Sequence, residues 1–271
     1  MFDSYNRKID YLRVSVTDRC NLRCTYCMPA EGILLKRHDD ILSYERIVQV
    51  ARSAAELGIC KLRLTGGEPL ARRDVAVLVR ELKAVPGIRE VCLTTNGTLL
   101  APLAGALRDA GLDRLNISLD TLDPERYRQV TRGGDVTAAL AGIRAAREAG
   151  FRLTKINMVL IPGFNDDEVD GMREFCRRQE LRLQRIRHYS LHDHATAEAA
   201  PGAPGPERPL ACSACNRLRL TADGRLKPCL FSDREFAVDF SDIRASLQQA
   251  VRAKPARGVS CVRRGNWQIG G

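Results

Sequence analysis

The sequence predicts an α/β fold, a partial (β/α)6 barrel of the TIM type followed by a small C-terminal module that carries three closely spaced cysteines. Short apolar runs of Val, Ile and Leu alternate with helical patterns, which is typical of parallel β/α units. The segments AELGICKLRL, RDAGLDRLNI and REAGFRLTKI also repeat one order, in which a helix ends at a glycine and a strand follows. Six units are too few for a closed eight-stranded barrel, so we expect an open one. A doubly wound sheet is the alternative.

The expected elements alternate along the chain. We place strands near residues 11–18, 61–66, 90–96, 114–120, 152–161 and 181–190, and helices near 43–57, 71–84, 98–110, 136–149 and 167–180. Asp123-Pro124 and the run from Asn165 to Glu168 supply helix starts. Asp and Asn cap a helix, Pro fits its first turn, and acidic residues favour the positive end of its dipole.

A change of composition divides the chain. After His194 the segment ATAEAAPGAPGPERP is rich in Ala, Pro and Gly, which do not continue a helix or a sheet. We therefore predict a barrel over residues 1–194, a linker over 195–206 and a C-terminal module over 207–271.

Composition narrows the class of protein. With 44% hydrophobic residues, the 271-residue chain can form one sizeable core and a small added module. No apolar run approaches the ~20 residues that span a bilayer, and the N-terminus lacks the apolar stretch of a secretory signal. We expect a cytoplasmic protein, in which a content of ten cysteines indicates metal binding rather than disulfides. Nucleic-acid binding is disfavoured despite a net charge of +10, because the basic residues are dispersed and aromatic residues make up 5%.

Two cysteine triplets are the strongest functional signal. One has the spacing C-x3-C-x2-C and the other C-x2-C-x13-C, and they comprise Cys20, Cys24 and Cys27, and Cys212, Cys215 and Cys229. Three thiolates without a nearby fourth suit a cubane iron–sulfur cluster in which one iron has no protein ligand. For the second triplet taken alone, a structural zinc site is an equal alternative, because C-x2-C pairs are common zinc ligands.

The first triplet also has Tyr26 directly before its last cysteine, which completes the pattern C-x3-C-x-Y-C. Here the chain resembles the radical S-adenosylmethionine (SAM) superfamily, in which three cysteines bind a [4Fe–4S] cluster and SAM chelates the fourth iron. The segments KLRLTGGEPLARRD, TTNG, LNISLDTLD, CNRLRLTADGRLKPCLF and the terminal IGG follow in one order. Together they resemble the GTP 3′,8-cyclase family of molybdenum cofactor biosynthesis over nearly the whole chain.

The resemblance implies a cytoplasmic radical SAM lyase with two [4Fe–4S] clusters, SAM, GTP as the substrate, and an electron donor such as flavodoxin or ferredoxin; it also allows a homodimer. The two triplets would hold the clusters. The residues implied for SAM are Tyr26, Gly66, Gly67, Glu68, Thr94, Asn96 and Ser118. Glu68 can accept a hydrogen bond from an ammonium group, and two glycines let the backbone approach a ligand closely. An ordinary βα turn is the alternative for this glycine pair.

Six basic residues are candidates for binding an anion: Arg13, Lys61, Arg63, Lys155, Arg217 and Arg219. Alternation along a strand places Lys61 and Arg63 on one face, and Arg217 and Arg219 likewise. Guanidinium groups can bind phosphate oxygens through two hydrogen bonds. The resemblance favours triphosphate and guanine contacts for these residues except Lys61, and a catalytic role for Gly270 and Gly271. A solvated surface charge is the alternative for each basic residue.

Several residues depart from the family pattern or stand outside it. Gln184 and Arg187 occupy positions where the family usually has Arg and Glu, and a longer segment normally precedes the second triplet. We interpret His188, His192 and His194 as a solvated loop, with a metal site as the alternative. Cys60, Cys92 and Cys176 are interpreted as core residues. We expect Cys261 not to be a cluster ligand. These departures leave two further hypotheses: a paralogous two-cluster radical SAM enzyme that acts on another nucleotide or a peptide, and a non-catalytic iron–sulfur electron carrier.

Overall fold

The computed structural model of the chain describes residues 1–192 and 211–270, and its strands form one nine-stranded sheet. The strands are β1 Tyr11–Ser15, β2 Lys61–Thr65, β3 Glu90–Thr95, β4 Arg114–Ser118, β5 Lys155–Leu160, β6 Arg182–Arg187, β7 Arg217–Leu220, β8 Arg225–Lys227 and β9 Phe236–Ala237. The helices are α1 Tyr44–Glu56, α2 Val75–Lys83, α3 Ala104–Asp109, α4 Pro124–Thr131, α5 Val136–Glu148, α6 Val169–Arg178, α7 Ile243–Arg252 and α8 Asn266–Ile269.

The strand order is β6-β5-β4-β3-β2-β1-β7-β8-β9. Strands β1 to β6 therefore stand side by side in chain order, and every neighbouring pair among them is parallel. The outermost strands β6 and β9 do not pair, so the barrel stays open. This arrangement confirms the predicted partial barrel. The alternative of a doubly wound sheet is wrong, because its strand order would reverse at a switch point within the first six strands.

The C-terminal module continues the sheet on the far side of β1. Strand β7 pairs with β1 in parallel, with Leu218 opposite Leu12, and β8 and β9 follow in antiparallel pairs. Leu218, Leu226 and Leu247 belong to the same hydrophobic core as the barrel strands. The junction, with the expected linker 195–206 and His194, lies outside the described residues, so the proposed domain limits stay a prediction.

Three helices, α4, α7 and α8, are absent from the predicted alternation, and α3 starts later than expected. The start of α4 follows the Asp123 cap, whose side chain accepts from the backbone N–H groups of Glu125 and Arg126 at 2.9 and 2.8 Å. Its sequence PERYRQVT is too polar to show a clear apolar face. Helix α7 is capped by Asp242. Helix α3 begins at residue 104 rather than near 98, because hydrogen-bonded turns occupy 97–103.

Within the described ranges, none of the helices combines the length and apolar character that a membrane crossing requires.

A close approach between α5 and the loop after β3 fixes one side of the site. A Cβ atom at Gly142 would overlap the carbonyl oxygen of Gly97, the last residue of the segment TTNG. Gly142 is therefore required by packing rather than by backbone conformation.

We predict that Gly142→Ala lowers the free energy of unfolding by about 1–3 kcal/mol, the usual cost of overpacking. Gly171→Ala is the matched control, because it also lies in a helix but has open space around its Cβ position. It should stabilise the protein by about 0.5–1 kcal/mol through helix propensity. Urea unfolding of the metal-free variants measures both changes, and equal effects would contradict the packing explanation.

Candidate active site

Two adjoining cavities lie within the open barrel. The first, which we call the rim cavity, lies at the carboxyl ends of the strands and is lined by Cys20, Cys24, Cys27, Tyr26, the segment Thr65–Glu68, Asn96 and Ser118, among others. The second, the inner cavity, lies toward the amino ends of the strands and is lined by the six basic candidates, the second cysteine triplet and Lys254, among others. Thr94, Asn157, Ile186 and Tyr189 line both cavities. The two predicted cysteine sites therefore face one continuous interior.

The first triplet lies on the loop between β1 and α1. All three thiols are free and partly buried. The backbone N–H of Cys27 donates to the carbonyl of Cys24 at 2.9 Å, and Arg132 pins the loop by donating to the carbonyls of Arg23 and Met28 at 3.0 and 2.7 Å. Burial raises the pKa of Cys27 to about 12 and that of Cys24 further still. Thiols in this setting become thiolates when a metal supplies the opposing charge.

Neither triplet resembles a site for a single ion. Among residues 1–192 and 211–270, no three His, Cys, Asp or Glu side chains are grouped closely enough to hold one metal ion. A structural zinc site at the second triplet stays the alternative hypothesis, which metal analysis of the purified protein tests. A cubane cluster places each cysteine on a different iron, so three free thiols around one cavity fit such a cluster.

The glycine pair of the segment GGEP packs against the cysteine loop. Cβ atoms at Gly66 and Gly67 would overlap the carbonyl oxygens of Thr17 and Arg19, and Gly66 has a φ of +149°. The backbone N–H groups of Gly67 and Glu68 donate to the same two carbonyls at 2.9 and 2.8 Å. The glycines therefore hold the cysteine loop against the end of β2. Both glycines also line the rim cavity, so close approach to a ligand, the reason expected from the sequence, stays a prediction.

Glu68 is a buried carboxylate at the floor of the rim cavity. Its Oε1 accepts from the N–H of Leu70 at 2.9 Å and from Thr95 Oγ1 at 2.7 Å, and its Oε2 accepts from the N–H of Asn96 at 2.7 Å. Burial raises its pKa to about 7 against these stabilising hydrogen bonds. A cationic ligand in the rim cavity would relieve this cost, so the expected contact with an ammonium group stays a prediction that fits the site.

The aromatic ring of Tyr26 is held by an acidic residue that sequence reasoning missed. Tyr26 donates its hydroxyl to Asp120 Oδ2 at 2.6 Å, and the N–H of Val159 donates to Asp120 Oδ1 at 2.8 Å. Burial raises the pKa of Asp120 to about 6. Its position directly after the strand LNISL was the available signal, because polar residues at strand ends of a barrel line the site.

A row of arginines crosses the inner cavity on neighbouring strands. Arg13 of β1 stands directly opposite Arg63 of β2 on one side and Arg219 of β7 on the other. Burial, followed by the repulsion of Arg219, lowers the pKa of Arg13 to about 9. No Asp or Glu occurs among the described residues that line this cavity. The row is therefore arranged for an anionic ligand.

The remaining basic candidates differ in how many hydrogen bonds and ion pairs they already form with protein groups. Lys61 forms an ion pair with Glu90 at 2.5 Å. Arg63 Nε donates to the hydroxyl of Tyr11 at 2.5 Å, and its Nη1 donates to Thr94 Oγ1 at 3.1 Å. Lys61 is thus the least available of the six for a ligand.

Amide side chains line the other wall of the inner cavity. Asn157 Oδ1 accepts from Asn116 Nδ2 at 3.2 Å and from Gln184 Nε2 at 3.1 Å, and Lys155 Nζ donates to Gln184 Oε1 at 3.4 Å. Gln184 therefore takes part in a polar network across β4, β5 and β6. Arg187, the other departure from the family pattern, lines the rim cavity, and its buried Nε has no hydrogen-bond partner among the described residues.

The second triplet lies where β7 and β8 enter the inner cavity. Cys212 begins a short 3-10 helix, Cys215 precedes β7 and Cys229 follows β8. Although burial opposes it, the charges of Lys254 and Arg217 lower the pKa of Cys215 to about 6. The sequence did not indicate Lys254, because this lysine belongs to no motif and follows a helix that the sequence pattern does not predict.

The C-terminal tail reaches both cavities. The carbonyl of Gly270 accepts from Arg219 Nη1 at 2.6 Å and from Arg13 Nε at 3.2 Å. Gly270 has a φ of +67°, and a Cβ atom there would overlap Thr65 Oγ1. Gly271 lies outside the described residues. Arg264 anchors the tail by ion pairs to Asp223 at 3.0 Å and Glu235 at 2.6 Å.

The other singled-out residues lie outside the cavities or at their edge. Cys261 is buried in a small core with Leu191, Phe231 and Ile269, and its thiol faces Lys227 Nζ at 3.7 Å. Cys92 and Cys176 are buried and Cys60 is partly buried. His188 packs its ring edge to face against Tyr26 with centroids 6.2 Å apart, while His192 lies in the adjacent turn.

Because burial raises the pKa of Glu68, the free energy of unfolding should depend on pH. The pKa of Glu68 is about 7 in the folded state against an ordinary 4.5, so between these values the folded state holds a proton that the unfolded state releases. The free energy of unfolding should therefore fall as pH rises through this window, by on the order of 3 kcal/mol. Urea unfolding of the metal-free protein between pH 4.5 and 7.5 should show this contribution as a steeper slope in the wild type than in Glu68→Gln, because Asp120, whose pKa burial also raises to about 6, keeps a slope of the same sign in both proteins. Glu81→Gln, at an exposed position, should keep the slope; the same slope in all three proteins would contradict the assignment.

Comparison with known proteins gives the family. A model of the Radical SAM superfamily matches residues 14–176. The GTP 3′,8-cyclase of Moorella thermoacetica is 44% identical over 304 aligned positions that cover 94% of each protein. That of Pseudomonas entomophila is 40% identical over 308 positions, covering 95% of this chain and 92% of the relative. Both alignments exceed the 271 residues of the chain, so the relatives carry segments that this chain lacks.

Solved structures agree at the level of the fold. Streptococcus suis SuiB bound to S-adenosylmethionine superposes with a TM-score of 0.68 at 16% identity, covering 93% of this chain and 66% of that one. Native anSMEcpe with bound AdoMet gives 0.64 at 13% identity, covering 91% and 81%. The chain thus belongs to the radical SAM superfamily and, within it, to the GTP 3′,8-cyclase family.

Proposed function

We propose that this radical SAM enzyme converts GTP to (8S)-3′,8-cyclo-7,8-dihydroguanosine 5′-triphosphate for molybdenum cofactor biosynthesis, with two [4Fe–4S] clusters and SAM. The curated relatives named GTP 3′,8-cyclase support the reaction. The observation that supports the substrate's position is the row Arg219–Arg13–Arg63 in a cavity that also contains the second triplet. A non-catalytic electron carrier would not need such an anion site.

The rim cavity fits the first cluster and SAM. Cys20, Cys24 and Cys27 would hold the cluster, and Glu68 would accept a hydrogen bond from the SAM ammonium group while Ser118 and Asn96 line the rest of the site. When bound, this pair supplies the acceptor for the ribose 3′ hydrogen atom of GTP. The protein would orient the two reactants and limit the access of water, since Tyr26 and the tail residue Asn266 are part of the lining of the cavity.

The inner cavity fits a nucleoside triphosphate. Arg217 and Arg219 would bind phosphate oxygens together with Arg13, and the second triplet would hold a cluster whose open iron contacts the base. In the reaction the 3′ C–H bond breaks and a C3′–C8 bond forms. One electron and one proton then complete the dihydropurine, so the product keeps the composition of GTP. Arg219 is suited to a phosphate oxygen, since it is 5% exposed and its guanidinium already donates to the tail carbonyl of Gly270.

A second candidate function is a paralogous two-cluster enzyme for another nucleotide or a peptide. Gln184 and Arg187 favour it, because each changes the charge of the wall between the cavities relative to the expected family pattern. The electron donor, such as flavodoxin or ferredoxin, a cytoplasmic location and a homodimer belong to the proposal in both cases. Anaerobic incubation with SAM, dithionite and GTP, followed by product analysis, separates the two functions.

The two triplets should have separable roles. Cys20→Ala, Cys24→Ala or Cys27→Ala should abolish reductive SAM cleavage, whereas Cys212→Ala, Cys215→Ala or Cys229→Ala should retain cleavage without cyclised product. Cys176→Ala is the control, since this buried thiol lies in α6. Finding zinc at the second triplet after anaerobic purification would refute the two-cluster proposal.

The arginines of β7 should determine nucleotide affinity. Arg217→Ala and Arg219→Ala should each weaken GTP binding by about 1.5–3 kcal/mol, because a charge-assisted contact is lost. Binding should also weaken with salt. Calorimetry on the loaded protein measures both effects, with the exposed Arg225→Ala on the neighbouring strand as the control. Wild-type affinity in both β7 variants would exclude the triphosphate contact.

The tail should be required for cyclisation. Deleting Gly270 and Gly271 should leave SAM cleavage intact and eliminate product, because Gly270 lies between Thr65 and the arginines. Gly270→Ala should act similarly. Gly163→Ala is a matched control with a φ of +72° and open space around its Cβ position. Normal turnover in the deletion variant would show that the tail is inert.

A further inference from the structure

Lys254 follows α7 and is only 3% exposed. Its Nζ donates to the carbonyl of Arg217 at 2.9 Å and to that of Pro228 at 2.7 Å. Arg217 stands two residues after Cys215, and Pro228 directly precedes Cys229. One ammonium group therefore joins the two chain segments that carry these cysteines.

The ammonium group also faces the cysteines themselves. Lysine has three N–H donors, of which the two carbonyls take two. Both Cys215 and Cys229 line the same cavity as Lys254, and the charges of these two groups favour the charged form of the Lys254 side chain against the cost of its burial. Lys254 lines the inner cavity together with the whole second triplet.

Arg7 connects the next residues of the same segment to the third cysteine, Cys212. Arg7 Nη1 donates to the carbonyl of Cys212 at 2.8 Å and to that of Ala256 at 3.0 Å, and its Nη2 donates to that of Pro255 at 2.6 Å. Asp3 fixes the guanidinium through an ion pair at 2.6 Å. The segment 254–256 thus contacts the backbone around all three cysteines, directly or through Arg7.

The environment of Lys254 supplies hydrogen-bond acceptors but no carboxylate within the described residues. A buried ammonium group is costly unless it is both hydrogen bonded and paired with negative charge. A cubane cluster with three thiolate ligands carries such charge. A simple packing role would favour an apolar side chain of the same length.

We propose that Lys254 is a positioning residue for the second cluster, a proposal that rests on the presence of that cluster in the proposed function. Its ammonium group keeps the Cys215 and Cys229 segments at a fixed separation and donates a hydrogen bond to a ligand sulfur. Net charge and hydrogen bonds to sulfur set the reduction potential of an iron–sulfur cluster. A nearby positive charge stabilises the reduced, more negative form, so Lys254 raises the potential of the second cluster.

The test compares Lys254→Met, Lys254→Arg and Lys227→Met in the full chain. Met keeps the length of the side chain but removes its charge and donors, whereas Arg keeps the charge. Lys227 is the matched control because it is fully buried and contacts the thiol of Cys261, which stands outside the triplet. After anaerobic reconstitution, iron content and redox titration by electron paramagnetic resonance are measured, with the signal of the first cluster as internal reference.

We expect the ratio of reduced to oxidised second cluster in Lys254→Met to fall at least tenfold at a given potential, a shift of about 59 mV for one electron. Lys254→Arg should restore most of the ratio, and Lys227→Met should leave it unchanged.

Loss of the second cluster in Lys254→Met alone also supports the proposal. A wild-type potential in loaded Lys254→Met overturns it, as does equal iron loss in both Met variants. Should Lys254→Met fail to fold, Lys254→Gln provides the same comparison. A wild-type protein with one cluster refutes the two-cluster proposal itself, so the two failures are distinguishable.

Discussion

The burial of neighbouring arginines is the constraint on which the inner cavity depends. Arg219, Arg13 and Arg63 stand opposite one another because β1 has parallel neighbours on both sides. Their repulsion and the loss of water both oppose burial. The alternate residues Leu12, Leu62 and Leu218 face the core and hold the three strands in register. The apolar face of the sheet thus supports a charged face that an anionic ligand would stabilise.

Close contacts at glycine residues form the part of the site that lies at the carboxyl ends of the strands. Gly66 and Gly67 bring β2 against the cysteine loop, and Gly142 brings α5 against Gly97. Gly270 does the same for the tail. In each case a side chain would separate segments that carry ligand-binding residues, so glycine serves the geometry of the site through packing.

The sequence predicted the six barrel strands well, because their apolar runs end at glycines or polar residues. It also placed Cys20, Glu68, Arg13 and Arg219 in the site, through motifs whose spacing is specific. It could not show that β7 pairs with β1, since this contact depends on long-range topology. Lys254 was missed for the same reason, because it acts through partners that are distant in sequence and belongs to no local pattern. Asp120 was missed although its position at the end of a predicted strand was an available signal.

The pairing of β7 with β1 also affects the order in which the protein forms. Asn216 Nδ2 donates to Asp10 Oδ1 at 2.8 Å across 206 residues of sequence. During synthesis, β1 therefore keeps one unpaired edge until the last quarter of the chain has emerged. An open edge is an aggregation hazard, which charged side chains reduce. Arg13, which binds substrate in our proposal, also lies on that edge and would protect the growing chain before the inner cavity exists.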